Sequence, residues 1–145
     1  MPKSTTFSND LVGLVFNATA IANIADNAAA SPLTDLYVSL HTADPGVGGS
    51  QLTNETAYTN YVRVAVPRAT VTGWDAPSGG ATQNAILVQF AQCGVTGATI
   101  TYVAIGTASA GAGKVLYAGA LSASRSVSSG IQPQFAIGAL TVTEA

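Results

Sequence analysis

Two spacings of apolar residues divide the chain at Pro32. Ahead of it, Leu11, Leu14, Val15, Ala18, Ala22 and Ala25 recur every three to four positions, the stripe of an amphipathic helix. Asp10 stands where an N-cap belongs, and Pro32 ends any helix that reaches it. The spacing predicts a helix over residues 10–28, preceded by a polar, mobile arm at residues 1–9. After Pro32 the period falls to two. Leu36, Val38 and Leu40 alternate with Tyr37, Ser39 and His41, and Asp44-Pro45-Gly46 turns the chain. A glycine-rich polar loop follows over 48–60. Val62, Val64 and Val66 alternate next, and Pro67 marks the end of an edge strand. Residues 73–80 read as a second loop, which holds the single tryptophan, Trp74. Further strands are predicted at 86–90, 100–107, 115–121, 125–127 and 135–142, punctuated by glycines.

Short strands with regular turn signals and no βαβ alternation predict a mainly β fold. The expectation is an antiparallel β-sandwich or barrel of about 7–8 strands with one N-terminal helix, in a single domain over 10–145. A chain of 145 residues suits one domain, able to bury roughly 68–70% of its unfolded surface.

Composition adds one unusual fact. Hydrophobic residues make up 48% of the chain, but charged residues only 8%, against about 25% in an average globular domain. A mean hydropathy of +0.36 and a net charge of −2 argue against intrinsic disorder. The reading is a folded domain with a largely uncharged surface. Such a surface loses little solvation when a partner covers it, and copies of it repel one another weakly. The cations Lys3, Arg63, Arg68, Lys114 and Arg125 are scattered, so no basic patch points to nucleic acid. No apolar run reaches the length of a membrane span, and no apolar run follows Lys3 as in a signal peptide. The single cysteine, Cys93, reads as a small buried apolar residue. The sequons at Asn17 and Asn54 carry no weight.

Candidate chemistry is sparse. His41 is the only histidine and has no second ligand type near it in sequence, so it reads as structural. Gly111-Ala112-Gly113-Lys114 lacks both the earlier glycine (Ala108 stands there) and the hydroxyl residue (Val115) of a phosphate loop, and reads as a hairpin turn. No serine sits in a Gly-x-Ser-x-Gly elbow, and Cys93 has no nucleophile signature. Tyr37, Tyr58, Tyr61, Tyr102, Tyr117 and above all Trp74 are candidates for a sugar-stacking face. The favoured reading places Tyr102 and Tyr117 half-buried on strands and Trp74 over one end of the core. No catalytic, cofactor-binding or metal residue is assigned.

Taken in order, these segments resemble a family of small virion proteins of tailed bacteriophages. The resemblance covers nearly the whole chain. It begins at Phe7-Ser8-Asn9 and is clearest at Leu36-Tyr37-Val38-Ser39-Leu40-His41-Thr42-Ala43-Asp44-Pro45, with Thr53-Asn54-Glu55 after it. The strand Tyr61-Val62-Arg63-Val64-Ala65-Val66, Trp74 with Ala76-Pro77-Ser78, Asn84-Ala85, Thr101-Tyr102-Val103-Ala104-Ile105 and Leu116-Tyr117-Ala118-Gly119-Ala120-Leu121 continue it. Val127-Ser128-Ser129-Gly130, Pro133-x-Phe135 and Gly138-Ala139-Leu140-Thr141-Val142-Thr143 close it. The chain departs in a longer alanine-rich segment before Leu36, and in Thr59-Asn60 where the family more often has glycine before its tyrosine.

The resemblance implies a structural role in the virion, assembled in the host cytoplasm, and no enzyme activity. The main expectation is a capsid decoration (cement) protein. It would bind the major capsid protein on the head exterior as a homo-oligomer, a trimer favoured, with the arm 1–9 ordering on contact. The alternative is a tail-fibre or baseplate component with receptor or glycan binding through Trp74 or the tyrosines. Neither involves nucleic acid, a membrane or a cofactor.

Overall fold

The structure, a computed structural model, describes residues 4–21 and 32–144. Among them stand one helix, α1 (Thr5–Phe16), and eight strands: β1 (Asp35–His41), β2 (Val64–Pro67), β3 (Ala81–Gln83), β4 (Val88–Gln89), β5 (Ala98–Gly106), β6 (Val115–Val127), β7 (Gln134–Phe135) and β8 (Thr141–Thr143). The ladders β1–β5, β5–β6 and β3–β8 are antiparallel. The mainly β, antiparallel class with an N-terminal helix is as the pattern predicts. The sheets stay open and none closes into a barrel.

The helix lies earlier than its periodicity predicts. Ser4 is the N-cap, its Oγ accepting the Phe7 N–H at 3.2 Å, so residues 5–9 are helix and not a mobile arm. Ser8 is buried, and Asn9 Oδ1 accepts the N–H of Gly80, which ties this first half into the fold. The helix ends at Phe16 because Ala18 turns left-handed (φ 53°) and the N–H groups of Asn17 and Thr19 both donate to Gly13 O. Arg68 then caps the last turn, donating from Nε to Val15 O at 2.7 Å and from Nη2 to Leu14 O at 2.6 Å. A cation on the orphan carbonyls of a helix C-terminus satisfies them and favours the helix dipole. Positions 22–28 of the predicted helix lie outside the described residues.

The chain forms two compact units, each drawn from separate stretches: residues 1–35, 66–87 and 135–145, and residues 36–65 and 88–134. In the first, α1 packs on β3, which pairs with β8. Its core includes Val12, Phe16, Trp74, Leu140 and Val142. Trp74 meets Phe16 edge-on, with ring centroids 4.5 Å apart. β3 lies next to the predicted 73–80 loop and was not anticipated. Its approach is a two-residue turn at Gly79 and Gly80 (φ 62° and 77°), with Ser78 and Ala81 exchanging backbone hydrogen bonds; both central positions of such a turn require positive φ. Asn84, fully buried, holds the 135–142 region together. Its Nδ2 donates to Ile86 O and Ala136 O, and its Oδ1 accepts the Leu140 N–H, all at 2.8 Å. The predicted strand 135–142 is therefore split into β7 and β8, with Gly138 at φ 77° between them.

Val71 sits in the left-handed region (φ 71°) with its side chain mostly in solvent. A β-branched residue there is strained. Replacing Val71 by asparagine, which tolerates this conformation, is expected to raise stability by about 1 kcal/mol, seen as a higher melting temperature.

The strand order around the second unit is β2-β1-β5-β6. Leu36, Val38 and Leu40 of β1 and Ile100, Ala104 and Ile105 of β5 are buried. Pro67 does end an edge strand. β6 runs through the gap predicted at 122–124, because a bulge absorbs the excess: Thr101 alone, between Ile100↔Arg125 and Tyr102↔Ala120, faces residues 121–124. Cys93 is buried, its Sγ 3.4 Å from Thr96 O.

Candidate functional site

Two features of the second unit stand out: a buried polar cluster that fixes two loops, and a long bare strand edge.

The cluster grows from the end of β1. Ser39 and His41, two apart on a strand, point to the same face, and both are fully buried. His41 Nδ1 lies 2.9 Å from Thr53 O and Nε2 lies 2.9 Å from Ser39 Oγ. A carbonyl only accepts, so Nδ1 carries the proton and Nε2 accepts from the Ser39 hydroxyl. Burial pushes the imidazole below its ordinary range; the Thr53 hydrogen bond and the Glu55 carboxylate work against this, and Arg63 works with it. The pair has the geometry of a nucleophile and its base, yet neither atom reaches solvent, so no substrate meets it. The sequence shows His41 without a second ligand; the burial and the Thr53 carbonyl, twelve residues away, show which groups it holds.

Beside it lies an ion pair. Arg63 Nε and Nη2 each stand 2.7 Å from Glu55 oxygens, with side-chain exposures of 2% and 11%. Tyr61 donates its hydroxyl to Glu55 Oε1 at 2.8 Å and accepts the Leu40 N–H at 3.1 Å. Glu55 raises the Arg63 pKa, and burial raises that of Tyr61, so one stays charged and the other neutral. Two of the three remaining Arg63 protons go to Ala108 O and Gly111 O, both at 2.8 Å. Buried Gln51 completes the hold: its Oε1 accepts the Ala108 N–H at 2.9 Å. A Cβ at Gly106 or Gly113 would collide with Gln51, which explains glycine at both. Together these groups set the β5–β6 hairpin loop rigidly while its tip, Ser109 to Ala112, stays exposed and uncharged. Gly111 is left-handed in that loop (φ 75°), and the Gly-Ala-Gly-Lys segment is the hairpin turn its sequence suggests.

The second feature is β6. It ends the four-stranded sheet, and no described strand lies beyond it. Ala118, Gly119 and Ala120 are exposed in succession, and so are residues 122–126. Successive strand residues point to opposite faces, so both faces of β6 meet solvent. Its thirteen residues hold one charge, Arg125, and no proline.

Trp74 and Tyr58 are buried away from any sugar-stacking surface. Trp74 is fully buried and Tyr58 nearly so, its hydroxyl donating to Ala91 O at 2.9 Å and its pKa pushed up to about 12 by burial. Tyr61 packs between Tyr58 and Phe90. Tyr37, Tyr102 and Tyr117 are half-buried strand residues. The alternative role for Trp74 as a stacking surface is thereby corrected: its indole is core. A shallow groove of about 230 Å³ in the first unit, beside Asp75, Ser78, Thr82, Gln83 and Thr141, has no aromatic lining, and Gln83 Nε2 already occupies the Asp75 carboxylate at 2.8 Å. Among the described residues no three His, Cys, Asp or Glu side chains converge as metal ligands. No helix among them is long and apolar enough to cross a membrane.

Residues 3–143 match the protein family described as Podophage GP4 fiber I protein gp80. The chain belongs to this family. It is a structural protein of a bacteriophage virion. No curated protein matches it significantly. The departure at Thr59-Asn60 now has a physical reason. Asn60 sits at φ 75°, the left-handed region where glycine is the default and asparagine the usual substitute.

Proposed function

We propose that this chain is a component of the phage tail fibre that works by adhesion to copies of itself and to other virion proteins, without catalysis. The observation that carries the reading is the fibre description of the family matched over residues 3–143. It favours the tail over the capsid-decoration role, in which the major capsid protein would be the partner. The surface chemistry supports adhesion. With 8% charged residues, little solvation is lost on assembly.

β6 is the surface proposed for self-association. An unprotected strand edge recruits another strand, and charge, proline or a cover is the usual defence. β6 has a bulge at residues 121–124 and a second irregularity at Leu116, which leaves residues 117–120 in unbroken register and uncharged. In an antiparallel pairing of two such segments, Lys114 and Arg125 face neutral residues; a parallel in-register pairing would set like charges side by side.

The double substitution Ala118→Lys and Ala120→Lys tests this. Both positions are exposed, so the change in folding stability is expected to stay within about 0.5 kcal/mol. Light scattering of the wild-type protein should show an oligomer that the double variant loses, along with incorporation into particles in a complementation assay. An oligomer unchanged in size and affinity would overturn the role of β6.

A further inference from the structure

Beyond assembly, the buried cluster places a titratable ring, His41, at a point where two segments are fastened together. His41 is the point where the segment ending at Thr56 is fastened to β1. Besides the Nδ1 bond to Thr53 O, the Thr42 N–H donates to Asn54 O at 2.8 Å and the Thr56 N–H donates to Leu40 O at 2.9 Å. His41 and Glu55 form a bridge there. This short ladder carries the turn at Asp44, whose Oδ1 accepts the Gly46 N–H, and the fully exposed Val47.

The neutral imidazole fits its surroundings with both nitrogens used. A second proton does not fit. Nε2 would become a donor facing Ser39 Oγ, and the serine would have to turn its own proton to Ala104 O, 3.4 Å away, the outer limit of a hydrogen bond. The new charge would also have to share its one neighbouring carboxylate. Glu55, the acid beside the ring, is already held by Arg63 and by the Tyr61 hydroxyl. Tyr102 lies opposite His41 on β5. The groups facing the ring are thus Glu55, Arg63, Tyr61 and Tyr102, and the pull of Glu55 on an imidazolium is opposed by Arg63.

We propose that His41 is an acid-sensitive latch: uptake of one proton frees residues 42–56 from the end of β1. The release extends to residues 107–113, because their carbonyls hang on Arg63, which is oriented by Glu55 on the freed segment. Both loops that this end of the unit presents would loosen together.

The direction of the titration supports the geometry. Burial holds the folded imidazole below its usual value of 6.5. Above about pH 6.5 both folded and open forms are neutral there and the latch is fully closed. As pH falls further, the open form binds a proton that the closed form resists. Closure therefore weakens progressively until pH passes the lowered value.

His41 is the only histidine, so its ring signal in an NMR titration is unambiguous. The same samples give hydrogen-exchange protection factors for 42–56 and 107–113, from about pH 7.5 to about pH 4. The expected result is a ring midpoint below 6.5, with protection of both segments falling as pH passes from 6.5 through that midpoint while the amides around Asn84 keep theirs. His41→Gln offers one donor and one acceptor without titrating, and should abolish the step. Should that variant fold poorly, Ser39→Ala is the second test: it removes the hydrogen bond to the neutral ring and should move the midpoint up. Loss of protection with the same pH profile in His41→Gln would assign the effect to carboxylates and overturn the proposal. So would a ring that titrates with no change in either segment.

Discussion

Replacing Arg63 by alanine is expected to lower folding stability by about 3–5 kcal/mol, the range for breaking one side of a buried ion pair. Three groups lose their partner at once. The Glu55 carboxylate keeps only the Tyr61 hydroxyl, and the carbonyls of Ala108 and Gly111 lose the donors that stand 2.8 Å away. Arg63→Lys should recover little. A single ammonium cannot span two carboxylate oxygens and two carbonyls in one plane. Removing both charges, with Glu55→Gln and Arg63→Met together, should cost less than the Arg63→Ala change alone, because no uncompensated charge then remains inside. Urea unfolding midpoints of the three variants measure this order. If Arg63→Ala shifted the midpoint no more than a surface substitution does, the pair would have no structural weight and the hairpin loop would stand without it.

Trp74→Ala is the second large effect, also about 3–5 kcal/mol, as for other buried aromatic-to-alanine changes. The indole is fully buried against Phe16, and its loss opens a cavity between α1 and the loop that carries it. Trp74→Phe should be far milder, about 1 kcal/mol, for a specific reason. Trp74 Nε1 has no hydrogen-bond partner among the described residues, and a buried unpaired N–H is itself destabilising by roughly 1–3 kcal/mol. Phenylalanine loses packing volume but also removes that unpaired group. Thermal melts of the two variants separate these contributions. A glycan-binding role for Trp74 predicts the opposite signature: normal melting of Trp74→Ala with binding lost.

The parts legible in the sequence were those written in local periodicity. β1, β5 and the first half of β6 followed from alternation, and the turns at Asp44-Pro45-Gly46 and around Gly111 followed from residue chemistry. The helix was misplaced because Leu11 to Ala25 continues its apolar stripe past the left-handed Ala18, and because the Ser4 cap precedes two β-branched threonines that do not look helical. β3 leaves no trace in the sequence pattern because three residues have no measurable period, and its partner β8 lies some sixty residues away. The buried cluster was out of reach for the same reason. Glu55, Arg63 and the 107–113 loop are ordinary residues until the fold brings them together, and Arg68 gave no sign that it would cap a helix ending at Phe16. Trp74 lies against the core as the favoured reading has it, but packed inside it on Phe16 of α1 rather than laid over one end.

The most direct test of the whole account is the position of the chain in the intact particle. Cryo-electron microscopy of virions, with this fold fitted to the density, should find it in fibres attached at the tail, with β6 against a neighbouring copy. Density for it on the head lattice at the capsid surface, or its absence from mature virions, would contradict the account.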